Sequence, residues 1–197
     1  METGGCREGG CGRWKLRNGM LGGALLGAVV FTGLTGCGVT DRADSNTPKP
    51  VGTRSVDDVD AETKQISSQI LDIVATKGTM SKGGPGVSTC EGAERGKLFL
   101  VRHPWSLTGK SDAELMKAMT RLKEDLPKHG WNIVEYGPNS SKAKSLELTA
   151  DHAAKKFAVK VEFWERNSGG DTNEPTLLVN VVSACYQVPD GEKVDRF

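Results

Sequence analysis

The stretch "FAVKVEFWE", residues 157–165, alternates apolar and polar side chains. Its apolar positions are Phe157, Val159, Val161 and Phe163. Lys160 and Glu162 fall between them and point to the opposite side of an extended chain. Antiparallel sheets commonly bury one face and leave the other in water, so this pattern predicts a strand of such a sheet.

Four further segments have strand patterns. They are "KLFLVRH" (97–103), "WNIVEY" (131–136), "SLELTA" (145–150) and "TLLVNVVSACY" (176–186). In the last of these, Leu177, Val179, Val181 and Cys185 share one face. We therefore expect Cys185 to point toward the core side of the sheet.

The clearest helix pattern is "SDAELMKAMTRLKEDLPKHG", residues 111–130. Ser111 and Glu114 form a capping box at its start, and Pro127 and Gly130 end it. Its apolar stripe consists of Leu115, Met119, Leu122 and Leu126. The segment predicts an amphipathic helix whose methionines belong to the core.

A second helix pattern lies in "DVDAETKQISSQILDIVATKG", residues 58–78. Its apolar positions are Ile66, Ile70, Ile73 and Val74, which fall on one helix face. Asp58 or Asp60 is suited to cap its start, and Gly78 stands just past its end. The glycine-rich segment that follows, residues 78–96, predicts a loop that carries Cys90.

These patterns predict an α+β fold. We expect a mainly antiparallel four-stranded sheet with two helices packed on one face, in the order α-β-α-β-β-β. This order contains four strands, although five segments have strand patterns. The folded domain is expected to span residues 58–197.

The charge of the chain argues against nucleic-acid binding. The formal net charge is +1 over 197 residues, and residues 1–36 carry +2 of it, which leaves −1 for residues 37–197. A near-neutral domain lacks the basic surface that nucleic acids attract. Nucleic acid is therefore not an expected partner.

The first 36 residues follow the order of a secretory signal: basic residues, an apolar run and small residues. They end in Leu34-Thr35-Gly36-Cys37, which resembles the bacterial lipobox. That resemblance implies cleavage before Cys37 and a diacylglyceryl group on its thiol. Residues 37–57 are polar and predict a flexible tether on the outer face of the cytoplasmic membrane. An uncleaved membrane anchor or a plain secreted protein is the alternative.

The cysteine count suggests one disulfide. Signal cleavage would remove Cys6 and Cys11, and lipidation would use Cys37, so that Cys90 and Cys185 remain. In an exported protein such a pair most simply forms a bridge. Two buried free thiols are the alternative.

Two longer segments resemble a group of small lipoproteins from actinobacteria. They are "RLKEDLPKHGWNIVEYGPNSSKAKSLELTADH" (121–152) and "LVNVVSACYQVPDG" (178–191). The resemblance covers roughly residues 58–190, and the group has no assigned biochemical activity. It implies lipid anchoring at Cys37 and pairing of Cys90 with Cys185, and it implies nothing about catalysis.

The residues that most often carry chemistry have no recognisable arrangement. His103, His129 and His152 are expected at a strand end, a helix end and a loop, and their spacing matches no metal motif. The sequence also lacks the motifs of serine and other nucleophiles. We predict no catalytic residue, no metal and no cofactor.

The aromatic residues give a weaker signal for binding. Trp105 follows a proline in an expected loop, and Trp164 falls on the side of its strand opposite the apolar face. Exposed rings can form a binding surface. Packing beneath a helix is the alternative. Trp105 and Trp164 are therefore candidate binding residues.

The sequence as a whole favours a non-enzymatic surface lipoprotein that binds a protein or an envelope component. One alternative is an extracytoplasmic hydrolase or carbohydrate-active domain, and another is a regulator or inhibitor of an exported protein. A pocket with convergent ionisable groups would favour the hydrolase. A flat, aromatic-rich sheet face would favour the binding module.

Overall fold

The computed structural model of the chain describes residues 49–166 and 174–194. These residues form two α-helices, a short 3-10 helix and an antiparallel sheet of eight strands. In chain order the elements are α1 (Val56–Val74), β1 (Gly78–Met80), β2 (Gly86–Thr89), β3 (Leu98–Gly109), α2 (Asp112–Asp125), the 3-10 helix (Leu126–His129), β4 (Asn132–Pro138), β5 (Leu146–His152), β6 (Phe157–Trp164), β7 (Thr176–Ser183) and β8 (Tyr186–Gln187). The predicted α+β class is confirmed.

The sheet is built around the long strand β3. Its strand order is β1-β3-β7-β6-β5-β4, and β2 and β8 also pair with β3. β7 and β8 lie along one edge of β3, whereas β2 and β1 follow each other along the opposite edge. All of these strand pairs are antiparallel.

The prediction of four strands in the order α-β-α-β-β-β is wrong. All five segments with strand patterns are strands, and β1, β2 and β8 are added to them. β1 and β2 lie in the glycine-rich segment that predicts a loop, and both are short; β1 is exposed throughout, and in β2 only Val87 is buried. Such strands form because they pair with β3, so they carry no alternating pattern of their own.

β3 is longer than its sequence pattern, because it continues through Pro104 to Gly109. Proline cannot donate to a strand ladder, which normally excludes it from the middle of a sheet. β2 pairs with β3 as far as Arg102 and β1 begins to pair at Leu107, so Pro104 lies where neither neighbour needs its N–H.

The start of α2 is where the sequence predicts it, whereas the start of α1 is not. At α2, the Ser111 hydroxyl accepts a hydrogen bond from the backbone N–H of Glu114, as expected. At α1 the cap is Ser55, whose hydroxyl accepts from the N–H of Asp58, and so the helix starts earlier than predicted. α1 ends at Val74, ahead of Gly78.

Both helices cover the same face of the sheet. Ser67 of α1 hydrogen-bonds His103, and Leu115 of α2 lies against Gly109. These two β3 positions are six residues apart and therefore point to one side. The core between the layers includes the predicted stripe of α2 and the apolar positions of β6, all buried: Leu115, Met119, Leu122, Leu126, Phe157, Val159, Val161 and Phe163.

A disulfide joins Cys90 and Cys185. It connects the segment between β2 and β3 to the segment between β7 and β8. In the chain-entropy model, a bridge across this separation of 95 residues contributes about 4–5 kcal/mol to stability. The expected disulfide is therefore part of the fold.

The folded region begins before residue 58. The N–H of Val51 donates to the carbonyl of Cys185, and the N–H of Arg54 donates to that of Gln187. The last residues of the predicted tether are thus held against β8. The predicted signal, the lipobox and Cys37 lie outside the described residues. Within the described ranges, no helix is long and apolar enough to cross a membrane.

Candidate functional site

The face of the sheet opposite the helices, here called the open face, carries polar and apolar side chains together. Two rows of directly opposed residues cross its centre, on β3, β7 and β6. The rows are Pro104, Asn180 and Lys160, and next to them Ser106, Leu178 and Glu162. All six positions alternate with buried residues of the same strands, which explains why they face away from the core.

A concavity of about 500 Å³ lies over these rows, and we call it the sheet pocket. Its lining is mostly apolar and consists of Ser81, Pro104, Trp105, Ser106, Lys160, Glu162, Leu178, Val179 and Asn180. Small-molecule sites in proteins typically have volumes of about 300–1,000 Å³ and apolar walls with a few polar groups. The sheet pocket has both properties.

One wall of the sheet pocket comes from the segment between β1 and β2. The N–H of Ser81 donates to the carbonyl of Ser106 at 3.0 Å. The N–H of Ser106 in turn donates to the Ser81 hydroxyl at 3.0 Å. These two bonds hold the wall against β3 between its pairings with β2 and β1.

The charged groups at the sheet pocket are engaged with neighbours. Lys160 Nζ lies 2.8 Å from Glu147 Oε2. Glu162 Oε1 accepts a hydrogen bond of 2.9 Å from Asn139 Nδ2. The hydrogen bond with Glu147 raises the pKa of Lys160, and the carboxylates of Glu147, Glu162 and Glu135 raise it further. Lys160 is thus held in its charged form within an acidic surrounding.

Asn180 lines the sheet pocket, and its side chain holds a buried acceptor without a donor. Its Oδ1 is buried and accepts no hydrogen bond from the described residues. Of its cross-strand neighbours, Pro104 has no N–H, and the ammonium of Lys160 is directed to Glu147. A buried acceptor without a donor is costly to the folded state.

The expectation that Trp105 lies in an exposed loop is wrong. Trp105 is part of β3 and is only 5% exposed, on the face that the helices cover. It therefore takes the alternative role of a core residue, although it borders the sheet pocket. Trp164 lies at the end of β6, half-buried on the open face and outside the pocket lining. A binding role for Trp164 stays a prediction.

The three histidines are not brought together in the sheet pocket. His103 Nδ1 lies 2.8 Å from the hydroxyl of Ser67, a buried residue of α1. His152 is buried with its ring edge against Trp131, and His129 is exposed on the 3-10 helix. Burial lowers the pKa of both His103 and His152. In the described part of the chain, no three His, Cys, Asp or Glu side chains are arranged to hold a metal ion.

Two other concavities have charged linings. One of about 710 Å³ lies between Lys49, Glu192 and Lys97, the last of which precedes β3. Another of about 260 Å³ lies between the end of α1 and the start of α2. Long charged side chains form much of their walls, whereas the sheet pocket has a floor of paired strands.

The sequence predicts only some of the residues that line the sheet pocket. Period-two alternation places Lys160 and Glu162 on the solvent side of β6, which is where they lie. It does not show which residues of β3 and β7 oppose them, because that depends on strand register. Pro104, Leu178 and Asn180 are therefore found only from the pairing.

The chain was compared with models of protein families, with curated proteins and with solved structures, and no match was found in any of the three comparisons.

Proposed function

We propose that the chain is a non-enzymatic binding module, which the lipobox anchors at Cys37 on the outer face of the bacterial cytoplasmic membrane. Its ligand site is the sheet pocket. The single observation that carries the binding proposal is a concavity of small-molecule size over paired strands, whose accessible lining surface is mostly apolar.

The state of the ionisable groups favours binding over hydrolysis. A general acid or base must exchange a proton with the substrate, and its pKa is usually matched to that task. Lys160 is instead held protonated by Glu147, and Glu162 accepts from Asn139. Groups engaged in this way shape a site and select a ligand.

The binding proposal is tested with N-phenyl-1-naphthylamine, an uncharged aromatic probe whose fluorescence rises in apolar surroundings. We expect saturable binding of one probe per chain. Leu178→Lys places a charge on the pocket floor and removes apolar contact, so it should weaken binding by about tenfold or more.

The matched control is Val182→Lys, on the same strand and the same face but outside the pocket lining. Its affinity for the probe should equal that of the wild-type chain. Equal affinity of the Leu178→Lys chain and the wild-type chain would show that the probe binds elsewhere, and the sheet pocket would then be abandoned as the site.

A further inference from the structure

The concavity of about 260 Å³ between the end of α1 and the start of α2, here called the basic cleft, gathers positive charge. Its lining includes Lys77, Lys110, Lys117 and Arg121, and among the described residues its only carboxylate is that of Glu114. The formal charge of the lining is therefore +3, whereas residues 37–197 as a whole carry −1. A nearly neutral chain thus concentrates cations at one small concavity.

The three lysines of the basic cleft have no counter-charge in the described part of the chain. None of them forms an ion pair or a side-chain hydrogen bond with a described residue, and all three are exposed. Asp112, a neighbouring acid at the start of α2, lies outside the lining, and its Oδ1 accepts a hydrogen bond from the N–H of Arg166. Because like charges repel, a bound anion would relieve an unfavourable arrangement.

Arg121 gives the basic cleft a cation in a fixed position. Its Nε donates to the carbonyl of Val74 at 3.1 Å, and its Nη2 donates to the Thr76 hydroxyl at 2.7 Å. A guanidinium that is already held in place loses little conformational freedom when an anion binds beside it. Its bond to Val74 also offsets the partial negative charge at the end of α1, which would otherwise repel an anion.

The charge and the size of the basic cleft define the class of ligand. A lining charge of +3 attracts a multivalent anion more strongly than a monovalent one, because the attraction grows with the product of the charges. A volume of about 260 Å³ is smaller than most sites for whole small molecules, and it suits one compact group. Phosphate is such a group, and lysine and arginine are its usual partners in proteins.

We infer that the basic cleft binds a phosphate group, carried by a soluble phosphate compound or by the headgroup of an anionic lipid. The cleft shares no lining residue with the sheet pocket. This second site therefore goes beyond the proposed function and does not depend on it.

Two soluble probes distinguish the two sources of phosphate. Inorganic pyrophosphate is a compact multivalent anion, whereas glycerophosphoglycerol is the water-soluble form of a lipid headgroup and carries one charge. Isothermal titration calorimetry of the full chain, kept in solution with an uncharged detergent, should show one site for pyrophosphate. Binding should weaken as potassium chloride is added, because salt screens the attraction. Tighter binding of glycerophosphoglycerol would instead assign the phosphate to a lipid.

The double variant with Lys77→Gln and Lys117→Gln removes one cation that follows α1 and one that lies in α2. It should weaken pyrophosphate binding by about tenfold. The matched control combines Lys142→Gln with Lys193→Gln, which removes the same charge at exposed positions outside the cleft lining. Its affinity should equal that of the wild-type chain. If thermal unfolding shows that the first variant has lost its structure, Lys110→Gln alone serves in its place and should weaken binding by about threefold.

Three results would overturn the phosphate site. The first is that the wild-type chain binds neither probe. The second is equal weakening in the two double variants, because the probe would then respond only to the net charge of the chain. The third is undiminished binding after the lysines of the cleft are removed, which would place the phosphate elsewhere. None of these results bears on the sheet pocket, since that site is tested with an uncharged probe.

Discussion

His103 shows how one side chain couples a helix to the sheet. It is in β3, and its Nδ1 meets the hydroxyl of Ser67 in α1 at 2.8 Å. Burial lowers the pKa of His103, although the charge of Asp60 opposes this effect and that of Lys64 adds to it. The folded chain therefore binds a proton at His103 less readily than the unfolded chain does.

This difference predicts a loss of stability in acid. The contribution of His103 is fully present above the unfolded pKa of about 6.5 and is lost as pH falls through the lower folded value. The free energy of unfolding, measured with denaturant at about pH 7.5 and about pH 5, should therefore fall in the wild-type chain. In His103→Asn that fall should be smaller.

His152 supplies an independent comparison at the other end of the sheet. Burial lowers its pKa as well, and the charge of Lys155 adds to this effect. The double variant with His103→Asn and His152→Asn should lose least stability between the two pH values. If all chains lose the same amount, neither histidine is responsible for the acid sensitivity.

At the scale of elements, Arg121 connects the two helices. It is in α2, and its Nε donates to the carbonyl of Val74 at 3.1 Å, while its Nη2 donates to the Thr76 hydroxyl at 2.7 Å. The last carbonyls of a helix have no partner within the helix. A cation at this end also interacts favourably with the helix dipole. Arg121 thus supplies a side-chain donor to the last carbonyl of α1, next to the backbone C-cap at Ala75.

Arg121→Met keeps most of the side-chain stem and removes the donors. We expect it to lower the free energy of unfolding by about 2 kcal/mol, the typical value for hydrogen bonds from a charged group. Lys117→Met, on an exposed position one turn earlier in α2, should change it by less than about 0.5 kcal/mol. Denaturant unfolding followed by circular dichroism measures both. Equal effects of the two substitutions would show that Arg121 acts only as a surface charge.

The sequence predicts the elements whose apolar residues repeat with the period of a helix or strand that is buried on one face. The apolar stripe of α2 and the alternation in β6 are of this kind, and both are confirmed. β1 is exposed along its whole length, and β8 has only two residues, so neither has a pattern to read. Both form by pairing with β3, which is distant in sequence from β8. The sequence also ends β3 too early, before Pro104, because a proline fits in this strand only where neither adjacent strand requires its N–H.

At the scale of the whole molecule, several contacts hold residues 51–54 against the rest of the domain. Val51 bonds the carbonyl of Cys185, the partner of Cys90 in the disulfide. Arg54 lies 2.5 Å from Glu62 of α1 and 5.4 Å from the ring centroid of Tyr186. These contacts place residues 51–54 beside the disulfide, which ties the same region to the segment before β3.

The proposed lipid anchor at Cys37 and the disulfide between Cys90 and Cys185 together predict the covalent state of the chain. If Cys37 is the lipid anchor, protein extracted from bacterial membranes should lack residues 1–36 and carry a diacylglyceryl group on Cys37. Non-reducing tryptic digestion should yield a peptide pair linked by Cys90 and Cys185. Mass spectrometry of the intact and the digested chain measures both.

Cys37→Ser separates the two parts of this prediction. It removes the only thiol that the lipobox offers, so lipid attachment and membrane retention should be lost together. The bridge should persist in the variant, because Cys90 and Cys185 are joined between strands and helices that lie within Val56–Gln187 of the described chain. An unprocessed wild-type chain without lipid would contradict the anchor at Cys37. Two thiols that react with an alkylating agent in the native protein would contradict the bridge and the stability that it contributes.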